Sequence, residues 1–85
     1  MTQTELFIAL PPNPFKPGSQ TDRVYRRLAR YGRVTNVEIM YGLGGSRIMN
    51  TTGRISEVRA VLEPHGFKIR CDRVGDGGVF QYSIQ

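Results

Sequence analysis

The chain has 85 residues, 39% of them hydrophobic, and a formal net charge of +5. A domain of this length buries only about 60% of the surface its unfolded chain exposes, which leaves little room for a core plus a deep catalytic cleft. Ten of the twelve basic residues are Arg and two are Lys; because Arg pairs bidentately with phosphates and base edges, the balance points first to a nucleic acid.

Cys71 is the single cysteine, which excludes an intrachain disulfide and a thiolate metal cluster and fits a reducing, cytoplasmic setting. The apolar run Leu6 to Leu10 is too short to span a membrane, and Glu5 stands where a signal peptide would carry a basic residue. Leu6 to Leu10 reads as a short strand. Pro11-Pro12-Asn13-Pro14-Phe15-Lys16-Pro17-Gly18 follows, with four prolines that forbid helix and favour extended chain. Residues 1–18 are therefore an N-terminal strand and Pro-rich arm, and residues 19–85 a separate domain. Three placements of the arm are open: on the domain, against a partner chain as in a homodimer that exchanges strands, or free.

The first helix is capped by Ser19, with Asp22 three residues on, and stopped by Gly32. Val24, Leu28 and Tyr31 share its inner face, with Tyr25 at the edge. The second is short, Asn36 to Tyr41; Thr35 and Glu38 form a capping box, and Val34 with Ile39 a hydrophobic staple. Gly42, Gly44 and Gly45 end it. For the third helix two starts compete. Ser46 gives a long helix containing Gly53, and Asn50 or Thr51 gives a short one. The stripe Ile48, Ile55, Val58 and Leu62 favours Ser46. Pro64 and Gly66 end it.

Beyond it, Phe67, Ile69 and Cys71 alternate with Lys68, Arg70 and Asp72. Phe80, Tyr82 and Ile84 alternate with Gln81 and Ser83, and Gly75-Asp76-Gly77-Gly78 lies between as a turn. The fold class is therefore α+β: a winged helix-turn-helix of three helices and a C-terminal β-hairpin wing, with an N-terminal extended arm. Leu6 to Leu10 is the candidate third strand.

Three groups of residues form the expected DNA-binding set. Arg23, Arg26, Arg27 and Arg30 recur along the outer side of the first helix, where a phosphate backbone would relieve their mutual repulsion, and Arg33 and Arg47 extend the charge. On the third helix Asn50, Thr52, Arg54 and Ser56 are the contact positions. With Ile55, Val58 and Leu62 toward the core, Asn50, Gly53, Glu57 and Ala60 point roughly outward, with Arg47 and Arg54 on one flank and Ser56 on the other; Asn50 and Arg54 are suited to adenine and guanine edges, and small outward residues let the helix approach a groove floor. Arg54 is expected on an exposed flank, Glu57 in an intrahelical ion pair, and Arg59 nearer the core, bracing the first helix. Lys68, Arg70 and Arg73 are the basic positions of the wing.

Other signals are weak. Gly42-Leu43-Gly44-Gly45 fits a GxxG pattern but lacks the Lys-Ser/Thr ending of a phosphate loop, so a plain turn is the better reading. His65 has no partner at metal-ligand spacing, and Ser46, Ser56 and Ser83 have no evident base. No catalytic residue, metal, cofactor or small-molecule substrate is expected.

Arg54-Ile55-Ser56-Glu57-Val58-Arg59, then Gly66-Phe67-Lys68-Ile69, resembles a family of small phage and prophage helix-turn-helix proteins. Ser19-Gln20 before the first helix matches as well, and the resemblance spans about Ser19 to Ile84. It implies a winged helix and DNA binding without a defined target. The chain departs from the pattern at Tyr41 to Asn50, which is longer and richer in Gly, and in its Pro-rich arm.

The expected function is a nucleic-acid-binding module, foremost a double-stranded DNA-binding regulator or architectural factor of a phage or mobile element. The third helix would lie in the major groove, with the Arg-rich first helix and the wing on the backbone. Two alternatives stay open: a protein-interaction module, such as a phage inhibitor of a host protein, and an RNA-binding module.

Overall fold

The computed structural model describes residues 10–85. Its elements run α1 (Gln20–Tyr31), β1 (Arg33–Thr35), α2 (Asn36–Met40), α3 (Thr51–Leu62), a 3-10 turn (Glu63–His65), β2 (Ile69–Val74) and β3 (Val79–Ile84). Three helices thus pack with one antiparallel sheet of order β1-β3-β2.

Local chemistry sets most boundaries. Ser19 accepts from the Asp22 amide to start α1, and Gly32, at φ 76, takes the left-handed conformation that ends it and donates to the Leu28 carbonyl. At α2 both halves of the capping box form: the Glu38 amide donates to Thr35 Oγ1 and the Thr35 amide to Glu38 Oε1. Val34 and Ile39, the staple pair, are fully buried.

α3 begins at Thr51, not after Ser46. Asn50 is its N-cap; its side chain accepts from the Gly53 amide, and its backbone sits at φ 56, a region Asn tolerates. Ile48 is buried, yet it reaches the core from the non-helical segment before the helix, so its match to the helical stripe is a coincidence of spacing.

The core is Val24, Tyr25 and Leu28 from α1, Val34 from β1, Ile39 from α2, Ile48, then Ile55, Val58 and Leu62 from α3, and Ile69 from β2. Tyr31, expected on the inner face, is 53% exposed, whereas Tyr25 is buried. Tyr25 is buried because the arm covers it. Its hydroxyl donates to the Pro11 carbonyl, and Phe15 packs edge-on against its ring with centroids 5.8 Å apart. Residues 10–18 therefore lie on α1. The strand expected at Leu6 to Leu10 falls outside the described residues except for Leu10, which is not in a strand and packs on the core.

Among the described residues the third strand is β1, which is not among the strands expected from the sequence and which pairs with β3 as Arg33↔Ser83, Val34↔Tyr82 and Thr35↔Gln81. β2 pairs with β3 from Ile69↔Ile84 to Val74↔Val79, and Lys68 and Gln85 extend the ladder by a pair of backbone hydrogen bonds. Phe67 precedes the strand, and Cys71 is exposed.

Asn36 ties the hairpin to α2. Its Oδ1 accepts from the Phe80 amide at 2.9 Å and its Nδ2 donates to the Gly78 carbonyl at 3.2 Å. Asn36→Ala is expected to cost about 1–2 kcal/mol by leaving both groups without this partner. Thermal melting reads the loss, and faster hydrogen exchange at the Phe80 amide localises it to the hairpin.

Candidate nucleic-acid interface

Successive residues turn by about 100° around a helix, so the buried set fixes what each helix shows outward. On α3, Ile55, Val58 and Leu62 face the core. The exposed residues are Thr52, Ser56, Glu57 and Ala60, a face whose side chains are small apart from Glu57. Glu57 is held from two sides, accepting from Thr21 Oγ1 of α1 and pairing with Arg54 Nε at 3.4 Å, the intrahelical pair expected from the sequence.

That pairing corrects the placement of Arg54. Its side chain is 27% exposed rather than open on a flank, and Nε is buried with no hydrogen-bond partner of adequate geometry. Asn50 commits its Oδ1 to capping, which leaves its Nδ2 as the group free of that bond. Thr52 and Ser56 are exposed on the outward face. Arg59 donates to the Ile69 carbonyl at 3.3 Å, so it braces the start of β2 rather than α1.

Beside α3 lies an open cleft of about 430 Å3, lined by Asn36, Val37 and Met40 of α2, Thr51 and Thr52 of α3, and Cys71, Phe80 and Tyr82 of the sheet. Burial pushes the Tyr82 phenol up, Cys71 adds to the rise and Arg59 opposes it, so the ring presents a neutral hydroxyl. Strand alternation places Arg73 on the same face as Cys71. Its guanidinium lies 5.9 Å from the Phe80 ring centroid. Arg70 is on the other face, paired with Asp72 at 2.9 Å. Lys68 is exposed just before β2, and Arg47, also exposed, lies in the segment leading to α3 with Met49.

The α1 arginines divide. Arg23 is structural: Nη1 donates to the carbonyls of Gly42 and Ser46, both at 2.7 Å, which closes the glycine-rich turn between α2 and α3. Gln20 assists by accepting from the Met49 amide at 3.0 Å. These two residues set where α3 begins, a role that the plain reading of a basic stripe missed. Arg26 and Arg30 are exposed. They lie on the side of α1 opposite Thr21, Val24 and Leu28, so they point away from α3. Arg27 pairs with Glu38 at 3.5 Å. Arg33 is exposed on β1.

The structure thus places Thr52 in the α3–hairpin cleft, with Ser56 one turn further along α3 and Arg73 on the cleft face of the sheet, groups Asn50 with Arg47 at the start of α3, and sets Arg26, Arg27, Arg30 and Arg33 apart from them. Among the described residues no three His, Cys, Asp or Glu side chains are grouped to hold a metal, and no helix is long and apolar enough to cross a membrane. Compared with family models, with curated proteins and with solved structures, the chain matches none.

Proposed function

We propose that the protein is a winged-helix module that binds double-stranded DNA, with α3 in the major groove and the β2–β3 hairpin as the wing. The observation that carries this reading is the outward face of α3. Thr52, Ser56 and Ala60 form a low surface beside a hairpin that bears Arg73, with Arg47 in the segment leading to α3, and the one carboxylate there, Glu57, is already engaged by Thr21 and Arg54. Small side chains let a helix backbone approach base edges, and flanking arginines meet the phosphates. The element order and the β1-β3-β2 sheet are compatible with this architecture.

Within the reading, Thr52, Ser56 and the Asn50 side-chain amide face bases, while Arg47 and Arg73 contact the backbone. Arg54 has a positioning role through Glu57. B-form DNA is favoured over duplex RNA because the A-form major groove is too deep and narrow to admit a helix. The module acts as a regulator or architectural factor rather than as an enzyme.

Titrating the protein with one sequence as duplex DNA, single-stranded DNA and duplex RNA across a salt series tests the reading. Duplex DNA is expected to bind tightest at every salt, with log affinity falling linearly against log salt. Equal affinity for all three, or no binding at low salt, would reject it.

A further inference from the structure

On the side of α1 away from α3, Arg26, Arg27, Arg30 and Arg33 gather around Tyr31. The Arg27 and Arg30 guanidiniums lie 5.2 and 5.5 Å from the Tyr31 ring centroid, within cation–π distance. Tyr31 is 53% exposed. Two carboxylates stand near, Asp22 at 3.3 Å from Arg26 and Glu38 at 3.5 Å from Arg27, but Asp22 is also bonded to Asn13 and the Gly18 amide. Arg30 and Arg33 have no ion pair among the described residues.

We propose that this Tyr31-centred surface binds the phosphodiester backbone of a second DNA segment, so that one chain holds two segments on opposite sides of its core. The bridging rests on the reading of α3 as duplex-binding. Every cation of the cluster is an Arg, whose planar fork matches phosphate oxygens and whose ring-stacked guanidinium keeps its edge N–H groups free. An exposed aromatic ring among arginines is also the pattern on which nucleic-acid strands rest. Placing phosphates there relieves the repulsion that four cations on one face impose.

The test uses two duplexes, one immobilised on beads and one fluorescent, with the full chain added. Wild-type protein is expected to carry the fluorescent duplex onto the beads. The double variant Arg30→Ala/Arg33→Ala, whose residues are exposed, is expected to keep its melting temperature and its affinity for a single duplex within about twofold while losing at least about fivefold of the capture. Retained capture by that variant would overturn the proposal, because the second segment would then be held elsewhere or by a dimer. So would no capture by wild-type protein, or release of the captured duplex by polyglutamate as readily as by free DNA of equal charge. If Ser56→Glu leaves single-duplex binding intact while the double variant abolishes it, the α3 reading fails, and bridging by opposite faces fails with it.

Discussion

Alanine at position 42 is expected to lower stability by about 3 kcal/mol, a fall of roughly 12–24 °C in the melting midpoint of a domain this size. Gly42 sits at φ +94, a conformation that side-chain-bearing residues rarely adopt, and a Cβ there would drive into the carbonyl oxygens of Gly45 and Ser46. Neither obstacle is the loose end of a side chain, so the backbone of the turn must move. The Ser46 and Gly42 carbonyls are also the two acceptors of Arg23, so displacement releases α1 from the turn that leads into α3. The next residue, Leu43, is already at φ 51, which leaves the turn little freedom to absorb the change. Gly44 provides the comparison: no atom lies within 4 Å of its hypothetical Cβ, so its alanine variant meets the strain of its φ of +91 but no clash. Thermal melts of the two variants are expected to differ, with Gly42→Ala the lower; equal melts would show that the turn does not depend on that close approach.

Asp22→Ala is the second large loss, about 2–3 kcal/mol at neutral pH, because a buried carboxylate bonded to several donors is removed. Asp22 is 2% exposed; it accepts from the Asn13 side-chain amide at 2.6 Å and the Gly18 amide at 2.9 Å, and it pairs with Arg26. Burial raises its carboxyl, but the Gly18 amide, the Asn13 side chain and the Arg26 guanidinium together outweigh burial and hold it below its ordinary value of 3.8. A carboxyl lowered in the folded state contributes stability that is fully present above its unfolded value and disappears as pH falls through its folded value. The stability gap between wild-type and Asp22→Ala is therefore expected to be constant above about pH 5 and to narrow below pH 3.8. Chemical denaturation across that range measures it, and a gap independent of pH would assign the effect to packing. The loss also removes one of the arm's anchors, since Asn13 and Gly18 are tied to α1 through this carboxylate, while the contacts of Pro11 and Phe15 with Tyr25 remain.

The features legible in the sequence are those made by neighbours along the chain. Ser19 with Asp22, Thr35 with Glu38, and Gly32 are each complete within a few residues, so α1 and α2 could be bounded before any tertiary contact was known. The hairpin and its turn were legible for the same reason, through alternation on either side of Gly75 to Gly78. β1 was not, because its apolar signal is Val34 alone and its partner β3 lies more than forty residues away. The start of α3 was misplaced because Ile48 happens to lie seven residues before Ile55, a helical interval, although it enters the core from the non-helical segment before α3. The candidate site shows the same division. Glu57 and Ala60 could be read as outward once Ile55, Val58 and Leu62 were taken as core, whereas Gly53, read as outward with them, is half-buried. Arg54 could not be judged, since its flank is closed by the contact between Thr21 and Glu57 across two helices. Arg23 looked like one member of a stripe, and its reach to carbonyls 19 and 23 residues on is a property of the fold alone.

Ser56→Glu tests the central claim most directly. Ser56 is exposed in the middle of α3 and has no side-chain hydrogen bond among the described residues, and Glu is a better helix former than Ser. The variant should therefore fold and melt like the wild type. A carboxylate there would face base edges and phosphates with the wrong sign, and duplex affinity, measured by fluorescence titration at one fixed salt concentration, is expected to fall at least about tenfold. A folded Ser56→Glu protein that binds duplex DNA within about twofold of the wild type would contradict the assignment of α3 as the element that meets DNA.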